Sequence, residues 1–138
     1  MNGFATTLTG ITFDEAVSRT MEALMGDGFG VLSDIDVQRA IEDKFDVEMR
    51  PYRIVGACNP KLAQQALEAV PDIGLPLPCN VIGREEAPER VVVGFLDPQI
   101  MVGLADRPEV QAVADAAERR LRSACASLAN NGAPVRAV

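Results

Sequence analysis

The sequence predicts an α+β fold: a two-layer sandwich in which a mixed, largely antiparallel sheet of about five strands carries helices on one face. Three observations lead there. Short segments rich in β-branched residues alternate with segments whose apolar residues recur at helical spacing. A short charged connection joins two of the strands as an antiparallel hairpin, which breaks the pattern of a doubly wound parallel sheet, the second-ranked fold. Each amphipathic helix also has one apolar stripe, and one face of a sheet is enough to cover them all.

Gly3 to Thr9 reads as a first strand, with Phe4 and Leu8 among threonines. Thr12 caps the helix that follows, and Glu15, three residues on, is placed to bond back to the cap. Phe13, Val17, Met21, Leu24 and Met25 form its apolar stripe, and Gly26 and Gly28 end it. Phe29 to Ser33 reads as a second strand. Asp34 or Asp36 then caps a helix carrying Val37, Ala40, Ile41 and Phe45, which ends near Asp46. Tyr52 to Cys58 reads as a third strand running directly into Asn59-Pro60. Asn59 suits an N-cap, and proline suits the first helical position, where no amide donor is needed. Pro71 stops this helix.

The stretch from Ile73 to Ile82 is apolar and proline-rich, and a proline cannot donate a ladder hydrogen bond. It reads as an extended approach that becomes a fourth strand near Asn80. Arg84 to Arg90 reads as a solvated turn and Val91 to Leu96 as a fifth strand. Asp97-Pro98 opens a short turn. The last helix starts at Asp106-Arg107-Pro108-Glu109 and carries one long stripe from Val110 to Leu128. Residues 3–129 are expected to form a single domain, with 130–138 a frayed tail.

Composition removes several chemistries. In 138 residues there are 13 Lys and Arg against 20 Asp and Glu, a formal charge of −7. Phosphate backbones need clustered cations, so nucleic acid is an unsuitable partner. Arg119, Arg120 and Arg122 sit among Asp115 and Glu118 and read as a solvated helix face. Histidine is absent, which excludes Ser-His-Asp and Cys-His catalysis and imidazole metal ligands. No catalytic residue is assigned, no metal site is assigned, and the cofactor is unknown. No apolar run has the length of a membrane span, and the start of the chain does not read as a signal peptide. Together with an odd number of cysteines, this leads to the expectation of a cytoplasmic protein with free thiols and no membrane association.

Two Cys-Asn dipeptides carry the candidate site, Cys58-Asn59 and Cys79-Asn80. Cys58 precedes a helix N-terminus, whose dipole favours a thiolate and a lowered pKa. If the third and fourth strands are neighbours, Cys58 and Cys79 approach one another. The alternative for both is packing as small buried hydrophobes. Two thiols alone fall short of a tetrahedral zinc site. Asn59 reads first as a cap, whereas Asn80 has no evident local task. Asp97 reads as a cap, Met101 as core filler with a soft-ligand alternative, Glu85, Glu86 and Glu89 as solubilising, and Cys125 as packing. The expected site is a ligand pocket bordered by Cys58, Asn59, Cys79 and Asn80.

Three segments in order, Tyr52 to Pro60, Ile73 to Val81, and Asp97-Pro98 followed by Met101, resemble the domain of unknown function family numbered 302. The resemblance covers roughly Phe4 to Leu128, and its Gly-Ala-Cys-Asn-Pro and Pro-Cys-Asn motifs fall on Gly56 to Pro60 and Pro78 to Asn80. It implies a small α+β fold of the TATA-binding-protein-like kind and a homodimer, and it brings no activity with it. The functional expectation is therefore a homodimeric accessory or ligand-binding domain for a small molecule. Its rivals are a thiol-based redox or metal-linked protein using Cys58 and Cys79, and a structural dimer module without a ligand.

Overall fold

The computed structural model describes residues 2–129 and 133–138. Strands β1 (Gly3–Thr9), β2 (Gly30–Asp36), β3 (Tyr52–Cys58), β4 (Cys79–Ala87), β5 (Arg90–Leu96) and β6 (Arg136–Ala137) form one sheet in the order β2-β3-β4-β5-β1-β6. Every pairing in it is antiparallel. The helices are α1 (Phe13–Gly26), α2 (Val37–Phe45), α3 (Pro60–Ala69), α4 (Ile100–Leu104) and α5 (Pro108–Leu128), with a 3-10 turn over Pro71–Gly74. The predicted two-layer α+β class is the observed one.

Alternation along each strand sorts the side chains into two faces. Val55, Val81, Phe95 and Phe4 stand opposite one another in a single row, facing α1 and α5. With Leu8, Leu24, Val91, Val93, Leu121 and Cys125 they make the main core. The rings of Phe4 and Phe95 stack at 5.5 Å, and the Arg122 guanidinium from α5 lies 4.3 Å from the Phe4 ring centre. Helix α1 packs over Gly83 through Val17 and the Phe13 ring. A second, smaller core beyond the end of β3 and β4 joins α3, α4, α5 and the 3-10 turn through Ala66, Ile73, Met101, Val110, Val113 and Ala114.

The other sheet face carries its own apolar row: Ile35, Ile54, Ile82, Gly94 and Ala5 are successive register partners. Ile35 is 49% exposed. Helix α2 has no buried residue, and Phe45 at its end is 69% exposed, although its apolar positions recur at helical spacing. Val37 and Ile41 of its stripe are half-buried, so the stripe is only partly covered.

Local capping follows the sequence. Thr12 Oγ1 accepts from the Glu15 amide, Asp36 Oδ1 accepts from the Arg39 amide, and Asp46 takes the left-handed conformation after α2. Three expectations change. The second strand runs on to Asp36, because Asp34 is held by Arg53 of the neighbouring β3, with Nε donating to Oδ1 at 2.8 Å. The segment read as a solvated turn from Arg84 is largely strand: β4 continues to Ala87, and the reversal is only Pro88-Glu89, with Glu89 at φ 57°. Its charges are tolerated because Glu85 meets Arg50 at 3.1 Å and Glu86 meets Arg90 at 3.0 Å. The tail expected to fray is partly ordered. Residues 130–132 lie outside the described residues, but Arg136–Ala137 adds to the free edge of β1, and the Val138 amide bonds to Gly3 O. That edge offers unpaired backbone groups, and the tail satisfies some of them.

Two tests follow from this packing. Gly56→Ala places a methyl group against Ser33 and the Pro78 ring. Overpacking of this kind costs about 1–3 kcal/mol, read as a lower urea midpoint. The Arg53 guanidinium, hydrogen-bonded to Asp34, holds that carboxyl below the usual carboxylate range. A lowered folded-state pKa stabilises above the unfolded value near ~3.9 and loses that contribution as pH falls through the folded value. Asp34→Asn is therefore expected to cost about 0.5–1 kcal/mol at neutral pH, and the gap from wild type to narrow and close as pH falls through the lowered folded-state value in matched urea titrations.

Candidate functional site

The antiparallel register of β3 and β4 puts Ala57 opposite Cys79, so the two Cys-Asn dipeptides meet at the same end of the sheet. There β3 turns straight into α3. Asn59 is the N-cap: its Oδ1 accepts from the Leu62 amide at 3.1 Å, and Pro60 occupies the first turn. Its Nδ2 donates to Gly28 O at 3.0 Å, tying the start of α3 to the turn between α1 and β2. Gly28 adopts φ 86°, and a Cβ there would press on the Asn59 amide and the Arg120 guanidinium. Asn59 thus spends both ends of its side chain on structure, in line with the capping reading.

Between the end of this sheet, α3 and α5 lies a small, partly open cavity with about 30 Å³ of free space. Cys58, Asn59 and Cys79 line it, together with Phe29, Leu77 and Met101. It holds roughly one water-sized body. Three of the four predicted site residues therefore share one cavity. Asn80 is separated from them. It stands opposite Gly56 and is exposed, on the sheet face away from Cys79. Consecutive strand residues point to opposite faces, so a Cys-Asn pair inside a strand cannot aim both side chains at one pocket. Cys58-Asn59 escapes that rule because the strand ends there and the helix begins.

The thiols behave as buried groups. Burial pushes Cys79 up to about 11, and the nearby Cys58 adds to the effect. Cys58, half-buried, is also raised by burial. The lowered pKa expected from the α3 N-terminus is not what the surroundings produce, because loss of hydration outweighs the helix end. Cys125 is in the main core, raised to about 11, and takes no part in the cavity. No disulfide joins the three cysteines.

Met101 is 2% exposed and packs in the smaller core, as expected, and it also lines the cavity. Only the spacing of Asp97-Pro98 and Met101 hinted at that. Asp97 Oδ1 accepts from the Gln99 amide, shaping the turn before α4. A polar network unseen in the sequence fastens this turn to α5: Gln99 Nε2 donates to Asp115 Oδ1 at 2.8 Å and Glu118 Oε1 at 2.9 Å, while Gln111 Nε2 donates to Gln99 Oε1 at 3.1 Å. The amide donors, with Arg122 bonded to Glu118, hold both carboxyls below their usual range. Among the described residues, no group of three or more His, Cys, Asp and Glu is placed to hold a metal ion, and no helix is long and apolar enough to cross a membrane.

The family model described as "Domain of unknown function DUF302" matches residues 4–128. The chain is also similar to a solved structure, the crystal structure of an uncharacterized conserved protein DUF302 from Bacillus stearothermophilus. The two superpose with a TM-score of 0.81 at 26% identity, over 91% of this chain and 97% of that one. No curated protein matches. The motifs that end β3 and begin β4, the family match across both cores and the shared two-layer fold all agree: the chain belongs to the DUF302 family.

Proposed function

We propose that this chain is a non-enzymatic binding module that works as a homodimer, with its site at the cavity bordered by Cys58, Asn59 and Cys79. The observation that carries the reading is the convergence of these three residues, from the end of one strand and the start of the next, on a single small cavity. The absence of histidine from the chain leaves the usual proton-transfer and nucleophile-activating partners unsupplied there. The size of the cavity favours a ligand of one or a few atoms over an organic metabolite. Asn80, on the opposite sheet face, falls outside this site.

The dimer is supported by the apolar surface that one copy leaves open. Ile35, Ile54 and Ile82 form a row across three neighbouring strands, and the stripe of α2 is only partly covered. A second copy related by a two-fold axis presents the same patch and is self-complementary to it. A rival reading has Cys58 and Cys79 acting through their sulfur chemistry, and it is favoured by both thiols lining one space. Their raised pKa values argue against a free thiolate nucleophile and leave metal-linked chemistry as the stronger form of that reading.

Native mass spectrometry of reduced protein, with elemental analysis, tests the assembly and any retained ligand together. Twice the chain mass is expected. The double variant Ile35→Asp, Phe45→Glu is expected to give single chains while keeping its helix content by circular dichroism. A wild-type protein that stays monomeric at high concentration ends the dimer reading. Alkylation by iodoacetamide at pH 8 tests the thiols. Peptide mapping is expected to show Cys58 modified first, with Cys79 and Cys125 slower by about a hundredfold until urea is added. Cys58 reacting faster than free cysteine would instead favour an activated thiol.

A further inference from the structure

We propose that Cys58, Cys79 and Met101 form a binding site for a single Cu(I) ion. The inference rests on the cavity being the functional site and names what occupies it. Cys58, Cys79 and Met101 come from the end of β3, the start of β4 and α4, and all three residues line the same space. Its free volume of about 30 Å³ suits one ion.

The donor set selects the metal. Thiolate and thioether are soft ligands that favour Cu(I), whereas Mg²⁺, Ca²⁺ and Mn²⁺ need oxygen donors. No carboxylate lines the cavity, and the Asn59 carboxamide is already committed to Leu62 and Gly28. Zinc in a structural site requires four ligands, and three sulfurs do not complete it. Cu(I) is satisfied by two or three sulfurs. Phe29, Leu62 and Leu77 line the space with apolar carbon, which offers no competing donor atom to the ion.

Charge and protons balance as follows. One Cu⁺ displaces the protons of the Cys58 and Cys79 thiols, two Cu–S bonds form, and two H⁺ leave to solvent. The Met101 thioether adds a neutral third ligand. No electron is transferred. The bound unit carries one net negative charge beside the N-terminus of α3, which begins immediately after Cys58 and Asn59. The positive end of that helix stabilises an anion at this position. Because binding releases two protons, affinity is expected to rise with pH.

The test is an anaerobic titration of the reduced full-length protein with Cu(I) against the chromophoric chelator bicinchoninate, followed by X-ray absorption at the copper edge. One Cu(I) per chain with an all-sulfur shell is expected. Cys58→Ser is expected to lose this binding. Met101→Leu, which conserves volume, should keep the fold by circular dichroism and weaken Cu(I) by about tenfold or more. Cys125→Ala should bind as wild type. Wild-type affinity in folded Cys58→Ser or Met101→Leu, a shell with oxygen or nitrogen ligands, or dependence on Cys125 overturns the proposal. If Cu(I) does not bind but native mass spectra show another small ligand displaced by Cys58 alkylation, the copper assignment fails and the cavity reading survives. If neither is found, both fall.

Discussion

Strand β3 lies antiparallel to β4 in a register that sets Val55 against Val81 and Ala57 against Cys79. The rest of the molecule is arranged around that pairing. It sends Val55 and Val81 into the row that reaches Phe95 and Phe4 under α1 and α5, and so it builds the main core. It sends Ile54 and Ile82 to the opposite face. It also brings the end of one strand and the start of the other to the same edge of the core, where α3 must begin and the 3-10 turn must end. A slip of one residue would exchange the two faces and scatter the cavity. The pairing is held where it matters most by a missing side chain: Gly56 leaves room for Ser33 on one side and Pro78 on the other.

At the cavity two effects on the thiols oppose one another, and their sizes decide the outcome. A helix N-terminus favours a nearby anion by about 0.3–1 kcal/mol. Taking a charged group out of water without a partner costs several times that. Cys58 and Cys79 are therefore held as neutral thiols, and in the proposed Cu(I) site it is the cation that shares the cost of ionisation with the helix end.

The two sheet faces differ in what covers them. On one, α1 and α5 fill the space and α5 reaches down with Arg122 over Phe4. On the other, three isoleucines stand in register, Ile35 exposed and Ile54 and Ile82 half-buried. Antiparallel sheets that face water usually place polar residues outward, so a row of isoleucines there calls for a covering layer. The partly covered stripe of α2 points to the same need from a different element.

The order of strands and helices, the caps at Thr12, Asp36 and Asn59, the hairpin and the long final helix are all legible in the sequence, because capping, turns and periodicity depend on residues within a few positions of one another. So is the nearness of Cys58 and Cys79 once adjacent strands are assumed. The exact run of β4 through Arg84 to Ala87 was not, since a dense run of charges reads locally as a turn and is accommodated in the strand by Arg50, distant in sequence, and by Arg90 of the paired β5. Nor was the place of Arg136–Ala137, which depends on β1 presenting a free edge more than a hundred residues away. What the sequence determined by itself was the fold class and the identity of the dipeptides. That Asn80 turns away from Cys79, that Met101 lines the same cavity as Cys58 and Cys79, and that burial raises both thiols follow from long-range packing, which sets side-chain direction and hydration and which no local pattern records.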